Sequence, residues 1–312
     1  MTGGPADEQV RTVFLGSGAF GLPALRRLAA HPRIALVGVV TAPARPVGRH
    51  QTLTPTPVAA LAAELGITTV LTPERLRSPD AIAAVLALGP ALAVLADYGQ
   101  IVPPALLDRP NGALTLHPSL LPRWRGASPI AATIAAGDGA TAVTLMRMDA
   151  GLDTGPLVAQ TPVALRGDET APELEEDLAE LAAALLDVSL GPWLDGALPV
   201  LPQSAEGVVL TRQLRREDGR LDPTRPAAEL ERLVRAYQPW PSTYVELDGE
   251  RLVVTAARVV VGQPTDAPGR LVHEGDLPAL GTADGRLALL AVTPPGKRPM
   301  SGADWLRGRR DR

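Results

Sequence analysis

The chain has 312 residues, of which 46% are hydrophobic and 21% are charged, and its formal net charge is −4. This size and composition indicate a globular protein with two domains, since one hydrophobic core rarely serves so long a chain. The absence of cysteine excludes disulfides and thiolate catalysis. The four histidines show no zinc-binding spacing, so we expect no bound metal.

The chain begins with a polar segment, MTGGPADEQVR, that has none of the features of a secretion signal. The longest apolar stretch, Ala81 to Ala96, is interrupted by Gly89 and Pro90. It is also shorter than the roughly 20 residues that cross a bilayer. We therefore expect a cytoplasmic protein without a membrane segment.

From Thr12 onward, short apolar or β-branched runs alternate with Ala/Leu-rich stretches of helical period. This alternation predicts an α/β domain: a Rossmann-like, parallel-rich sheet with helices on both faces. Seven runs are predicted as strands: TVFLG, ALVGVV, TTVLT, ALAVLA, ALTLH, AVTLMRM and PLVAQTPVAL. Helices are predicted near residues 20–31, 56–66, 78–88, 127–137 and 170–190.

Three glycines, Gly16, Gly18 and Gly21, form a G-x-G-x-x-G directly after the first strand, where a dinucleotide-binding loop would lie. An NAD enzyme also needs an acidic residue at the end of the next strand, yet no Asp or Glu occurs between Glu8 and Glu64. Two arginines in that region leave an NADP oxidoreductase as an alternative. The other interpretation is that the glycines only let the first helix pack closely on its strand.

His117 ends an apolar strand, so its side chain is predicted at the carboxyl edge of the sheet, where ligands of open α/β folds bind. Asp153 lies in a Gly-flanked loop after another strand of the same sheet. We expect the two to meet at that edge, because a carboxylate can pair with an imidazole and favour its charged form. The two residues are therefore candidates for catalysis.

The pattern changes after residue 190. The stretch GPWLDGALPVLPQSAEG has neither helical nor strand period and is predicted as a linker. Beyond it, one helix near 226–237 precedes the strand-like runs TYVEL, RLVVTAARVVV, GRLVHEG and RLALLAVTP. These runs predict a smaller, mostly β domain, of the kind found in an OB-like barrel.

Several segments together resemble the folate-dependent formyltransferases, and they span nearly the whole chain. They are HPSLLPRWRGASPI with GLDTG, RTVFLGSGAFGLPAL, TAPARPVGRHQTLTPTPV, LADYGQIVPPALLD, EDGRLDPTRPAAELERLVRAYQPWPSTY and GKRPMSGADWLRGRR. The resemblance implies formyl transfer from 10-formyltetrahydrofolate to the α-amino group of methionyl initiator tRNA, by a monomer. It also implies a catalytic domain at 10–190, a linker at 191–205 and a tRNA-binding domain at 206–312.

The resemblance also assigns the site residues. The family's catalytic Asn, His and Asp fall on Thr115, His117 and Asp153, so the first position departs from the family. Period 2 places Thr115 on the same strand face as His117, and its hydroxyl offers a single donor. Four residues would line the folate pocket: Ser119, Leu120, Leu121 and Pro122. Two would approach the tRNA acceptor end: Arg45 and Arg49.

Two further hypotheses remain open at the level of the sequence. One is a related formyltransferase that acts on a small amine, such as an amino sugar nucleotide. The other is a folate-binding or RNA-binding protein that lost catalysis with the amide at position 115. The second domain argues against the former, and the presence of His117 with Asp153 argues against the latter.

Overall fold

The computed structural model describes residues 9–48, 51–262 and 266–310. Its strands are β1 (Val10–Leu15), β2 (Ile34–Val40), β3 (Arg45–Val47), β4 (Thr52–Thr54), β5 (Val70–Leu71), β6 (Leu92–Ala96), β7 (Ala113–His117), β8 (Arg125–Gly126), β9 (Ala140–Arg147), β10 (Leu157–Ala164), β11 (Leu210–Thr211), β12 (Thr243–Leu247), β13 (Glu250–Val260), β14 (Leu271–Glu274), β15 (Leu277–Gly281), β16 (Arg286–Thr293) and β17 (Met300–Ser301). Its α-helices are α1 (Leu22–Ala30), α2 (Pro57–Glu64), α3 (Pro79–Ala87), α4 (Pro104–Leu107), α5 (Pro129–Ala136), α6 (Ala171–Leu194), α7 (Ala227–Ala236) and α8 (Gly302–Arg310). No helix in these ranges is both long enough and apolar enough to cross a membrane.

The chain divides into two compact units. The first consists of Met1–Ala127, Thr141–Val163 and Glu175–Leu210, and the second of Ser128–Ala140, Ala164–Leu174 and Thr211–Arg312.

The first unit is built on a seven-stranded sheet of order β10-β9-β7-β6-β1-β2-β5. Four neighbouring pairs are parallel: β7–β6, β6–β1, β1–β2 and β2–β5. Strands β7 and β9 are antiparallel. Every residue of β6 is buried, as expected for a strand covered on both faces. The seven predicted strands and the parallel-rich α/β class are thus confirmed.

The helices of this unit begin where the sequence carries capping signals. The Thr56 hydroxyl accepts a hydrogen bond from the Ala59 amide (3.0 Å), and the Ser78 hydroxyl accepts one from Ala81 (3.3 Å). A proline opens each of these helices, where its missing N–H costs nothing.

Helix α6 runs four residues beyond its predicted end, to Leu194, although Pro192 lies within it. Leu190 is fully buried, and the Trp193 indole donates to the carbonyl oxygen of Asn111 (3.0 Å). This packing maintains the helix past the Gly-Pro signal that local sequence treats as a break. Farther on, Leu201 forms a β-bridge with Leu157 in the first unit.

The second unit contains a six-stranded antiparallel sheet in which β12-β13-β16-β15-β14 lie in order and β17 pairs with β16. Two register shifts in β13, around Ala256, bend that strand. Apolar residues of α7, including Leu230, Leu233 and Val234, form a core with this sheet. The predicted mostly β second domain is confirmed, while β15 and α8 were not predicted.

Candidate active site

The glycine-rich turn packs around the carboxyl end of β6. A Cβ atom on Gly16 would lie 2.6 Å from the carbonyl oxygen of Ala96, and one on Gly18 would collide with the carboxylate of Asp97. Gly16 is therefore needed for close backbone packing, and Gly18 leaves room for the side chain of Asp97. The sequence analysis missed Asp97, which directly follows β6, has a φ of 51° and has its pKa raised by burial.

His117 is the last residue of β7 and is only 6% exposed. Its Nε2 lies 3.0 Å from the carbonyl oxygen of Trp124. Because a carbonyl can only accept, this contact assigns a proton to Nε2, and in the neutral ring Nδ1 then carries the lone pair.

Nδ1 of His117 faces the Asp153 carboxylate, with 3.7 Å between Nδ1 and Oδ2. The same Oδ2 accepts a hydrogen bond from the Gly126 amide (2.7 Å). Burial lowers the pKa of His117 below its ordinary value, and it outweighs Asp153 and the Trp124 carbonyl, which both raise it. The two side chains lie together as predicted, but burial favours the neutral form of the imidazole rather than the charged form.

The route by which Asp153 reaches His117 differs from the prediction. Because β9 is antiparallel to β7, Arg147 at the end of β9 lies beside Leu114, three residues before the histidine. The following loop must therefore double back along β7 to bring Asp153 to the ring. His117 and Asp153 were expected to meet because their strands would end at the same carboxyl edge, which holds only for parallel strands. They do meet, but because the loop turns back.

The lowered pKa of His117 predicts a loss of stability in acid. As the pH falls, His117 takes up a proton in the unfolded chain before it does so in the folded chain. The stability contributed by the neutral, buried ring is therefore present above the ordinary pKa of about 6.5 and is lost below it. We expect the stability advantage of the unchanged chain over His117→Gln to shrink between about pH 7.5 and pH 5.5, by at most about 1.4 kcal/mol per pH unit. Urea unfolding of both proteins measures this. An equal difference at the two pH values would contradict the prediction.

Thr115 lies in the middle of β7, next to Leu95 of β6 and Met146 of β9, and it is partly exposed. Its hydroxyl has no hydrogen-bond partner within the described ranges. The hydroxyl is therefore available to a bound ligand, as the placement on the His117 face predicts.

The loop after His117 is held by a hydrogen bond within itself and by others from β9 and β10. The buried Ser119 donates through Oγ to the carbonyl oxygen of Arg123 (2.7 Å), and its carbonyl oxygen accepts from the Thr144 hydroxyl (2.7 Å). Leu121 is also buried, and its carbonyl oxygen accepts a hydrogen bond from the side-chain Nε2 of Gln160 (3.0 Å). Of the four predicted folate-pocket residues, Ser119, Leu121 and Pro122 are in this packed part of the loop, and only Leu120 is strongly exposed, at 40%.

The predicted tRNA-contacting segment forms a small hairpin. Arg45 lies in β3, which pairs with β4, and every residue of the two strands is exposed. Arg49 lies outside the described residues. Two apolar side chains, Val47 and Leu53, are 56% and 67% exposed on the same hairpin.

One residue near the site was missed entirely. Gln203 lies in the predicted linker, yet its side chain bonds to Arg125 and to the backbone of Asp153. No local pattern identifies it, since its partners lie 78 and 50 residues away in sequence.

Comparison with known proteins identifies the family of both parts of the chain. Residues 10–188 match the formyl transferase family, and residues 213–310 match the formyl transferase C-terminal domain. A methionyl-tRNA formyltransferase of Roseiflexus sp. (strain RS-1) is 44% identical over 303 residues, which cover 96% of this chain and 93% of that protein.

Solved structures share the fold at low sequence identity. HypX from Aquifex aeolicus in complex with tetrahydrofolic acid has a TM-score of 0.64 and 16% identity, covering 96% of this chain and 47% of that longer one. A methionyl-tRNA formyltransferase from Clostridium thermocellum has a TM-score of 0.54 and 14% identity, covering 80% of this chain and 93% of that one. The two domain matches and the 44% identical relative together establish that the chain belongs to the formyl transferase family.

Proposed function

We propose that this chain transfers a formyl group from 10-formyltetrahydrofolate to the α-amino group of methionyl initiator tRNA, as a monomer in the cytoplasm. The observation that carries the proposal is the His117–Asp153 pair, with its 3.7 Å separation, beside the unpartnered hydroxyl of Thr115. The relatives that share 40–44% of their residues with this chain are methionyl-tRNA formyltransferases, which favours the tRNA substrate.

The pair is suited to accept a proton. The attacking amine must lose a proton. The neutral His117 ring and the Asp153 carboxylate can take it up, because they face each other with no proton between Nδ1 and Oδ2. One proton taken up there would form a charge-assisted hydrogen bond, which stabilises it. Asp153 is thus the route for the amine proton, which can pass on to N10 of the folate as the bond between N10 and the formyl carbon breaks.

The formyl oxygen gains negative charge during attack and needs a hydrogen-bond donor. His117 can donate through Nε2 once the formyl oxygen displaces the carbonyl of Trp124, which holds that proton in this structure. Thr115 can donate without breaking any bond, because its hydroxyl has no partner in the described part of the chain. We assign oxyanion stabilisation to both residues.

The residues around the site fit a folate. When bound, 10-formyltetrahydrofolate supplies the formyl carbon. The loops after β6, β7 and β9 expose apolar side chains at Ile101 (71%), Leu120 (40%) and Leu152 (58%). Surfaces of this kind bind flat ring systems such as a pterin, with backbone groups giving orientation. We assign the donor's ring system to the loop of Ser119–Pro122 and its neighbours.

The direct test uses purified protein, 10-formyltetrahydrofolate and methionylated initiator tRNA. Formylmethionyl-tRNA is the expected product, and its absence would overturn the proposal. An amino sugar nucleotide serves as the competing acceptor, since a solved N-formyltransferase from Helicobacter canadensis, of similar fold at 12% identity, is complexed with dTDP-3-aminofucose. Formylation of the sugar but not of the tRNA would favour the small-amine alternative.

Removal of the positive charges at Arg45 and Arg49 should weaken the use of tRNA. Each phosphate contact releases counterions, so the logarithm of kcat/KM for tRNA should fall linearly with the logarithm of the salt concentration. The steepness of that line should decrease by about one for each phosphate contact that is lost. The KM for the folate donor should not change. Arg26→Ala is the matched control, because Arg26 is also an exposed arginine but lies on α1 and pairs with Glu64. If the variants at Arg45 and Arg49 show the same salt dependence as the control, these two arginines do not contact tRNA phosphates.

A further inference from the structure

The side-chain amide of Gln203 makes four hydrogen bonds to nitrogen and oxygen atoms, and its Nε2 also lies 3.7 Å from Sδ of Met146. Its Oε1 accepts from Nε and Nη2 of Arg125, at 2.9 and 2.7 Å. Its Nε2 donates to the carbonyl oxygens of Asp153 and Gly155, at 2.8 and 2.7 Å. An amide can accept two bonds and donate two, so this side chain has no capacity left.

Arg125 lies between the two backbone groups that contact the candidate catalytic pair. On one side, the carbonyl oxygen of Trp124 accepts from His117, and on the other the amide of Gly126 donates to Asp153. Trp124 has a φ of 62°, which a residue with a side chain adopts only where the surroundings hold it, whereas Gly126 has a φ of 109°, which glycine adopts freely. Gln203 supplies part of that restraint by holding the Arg125 side chain.

The opposite loop needs the same restraint. Asp153 has a φ of 51°, an unfavourable conformation for a residue with a side chain. The Gln203 amide holds the carbonyl oxygen of Asp153 itself and that of Gly155. A single side chain therefore joins the loop that carries Asp153 to the loop whose backbone contacts both Asp153 and His117.

We propose that Gln203 is a positioning residue for formyl transfer, which keeps the Asp153 carboxylate and the His117 ring in their reacting orientation. The inference rests on the proposed function. Gln203 acts through Arg125 and the backbone of Asp153. Its contribution should therefore be to the turnover number rather than to substrate binding, since small misplacements of catalytic groups lower rates strongly.

The first variant is Gln203→Ala. We expect kcat to fall by about tenfold or more, while KM for the folate donor and for tRNA stays within about threefold. Gln238→Ala is the matched control, because the Gln238 amide likewise donates to two backbone carbonyls, those of Val234 (2.9 Å) and Thr255 (2.8 Å), in the second unit. Its thermal stability should also fall, although by less because two hydrogen bonds are lost rather than four, with kcat within about twofold of the unchanged chain.

A second variant, Gln203→Glu, separates the two halves of the contact. The carboxylate keeps both bonds from Arg125 but cannot donate to Asp153 and Gly155. We expect kcat to fall here too, by about tenfold, because the second carboxylate oxygen repels the carbonyl oxygens of Asp153 and Gly155 and displaces their loop. Full kcat in Gln203→Glu, or equal loss of kcat in Gln203→Ala and Gln238→Ala, would overturn the proposal.

A readout without substrate keeps this inference separate from the proposed function. Proton NMR can follow the titration of His117, whose resonance is assigned by its loss in His117→Ala. We expect the pKa of His117 to shift in Gln203→Ala, because a loosened Asp153 loop changes both the access of water to the ring and its distance from the Asp153 carboxylate. An unchanged titration would overturn the positioning role even if the chain transfers formyl groups. If the unchanged chain forms no formylmethionyl-tRNA, the proposed function fails and the titration alone decides the role of Gln203.

Discussion

Replacement of Asp153 by alanine is expected to lower the turnover number of formyl transfer by at least about a hundredfold, or about 2.7 kcal/mol of transition-state stabilisation. The amine proton would lose its acceptor, and Nδ1 of His117 would lose the charge it faces at 3.7 Å. His117→Ala should cause a loss of the same order. Both effects would be measured as kcat in the tRNA assay, with folding checked by circular dichroism.

Asp153→Asn distinguishes charge from position. An asparagine oxygen can still accept the hydrogen bond from the Gly126 amide, which stabilises the loop at 2.7 Å in the unchanged chain. We therefore expect Asp153→Asn to keep the stability of the natural protein but to lose as much activity as the alanine variant. If the asparagine variant retains near-full kcat, Asp153 holds the loop and takes no part in proton transfer.

Thr115→Val is expected to lower the turnover number by about tenfold or more, while Thr115→Asn retains or raises it. A lost catalytic hydrogen bond contributes roughly 1.4 kcal/mol or above. The structure sharpens this expectation, because the Nε2 proton of His117 is held by the Trp124 carbonyl, whereas the Thr115 hydroxyl has no hydrogen-bond partner in the described residues. The measurement is kcat for both variants beside the unchanged chain.

The control for position 115 is stability. Valine and threonine have nearly the same shape and both favour strands, so the valine variant should unfold at the same temperature as the unchanged chain. Full kcat in Thr115→Val would show that this hydroxyl does not replace the family's amide, and His117 would then be the donor to the formyl oxygen.

The elements that sequence analysis predicted well are those whose signals are local. The seven strands of the first sheet were found because apolar runs of four to eight residues, bounded by turn signals, have few other structures available. His117 was placed at a strand end by the same rule. Asp97 follows β6 in the same way, so its position directly after a buried strand is a local signal that identifies it as well.

The linker shows where local signals fail. Gly191 and Pro192 are strong breakers, yet α6 continues to Leu194 because Trp193 is anchored to Asn111. Farther on, Gln203 is bonded to the candidate site rather than lying in a free connection. Composition describes the intrinsic preference of a segment, and long-range contacts override it.

The sequence by itself therefore determined the α/β class, the mostly β second domain, the family resemblance and the residue types of the candidate site. Only the tertiary structure decided how these residues meet. The antiparallel pairing of β9 sends the Asp153 loop back along β7, burial keeps the His117 imidazole neutral against the pull of Asp153, and Gln203 joins the two loops. Each of these depends on strand register or desolvation, which arise from contacts between residues far apart in the chain and leave no local pattern in the sequence.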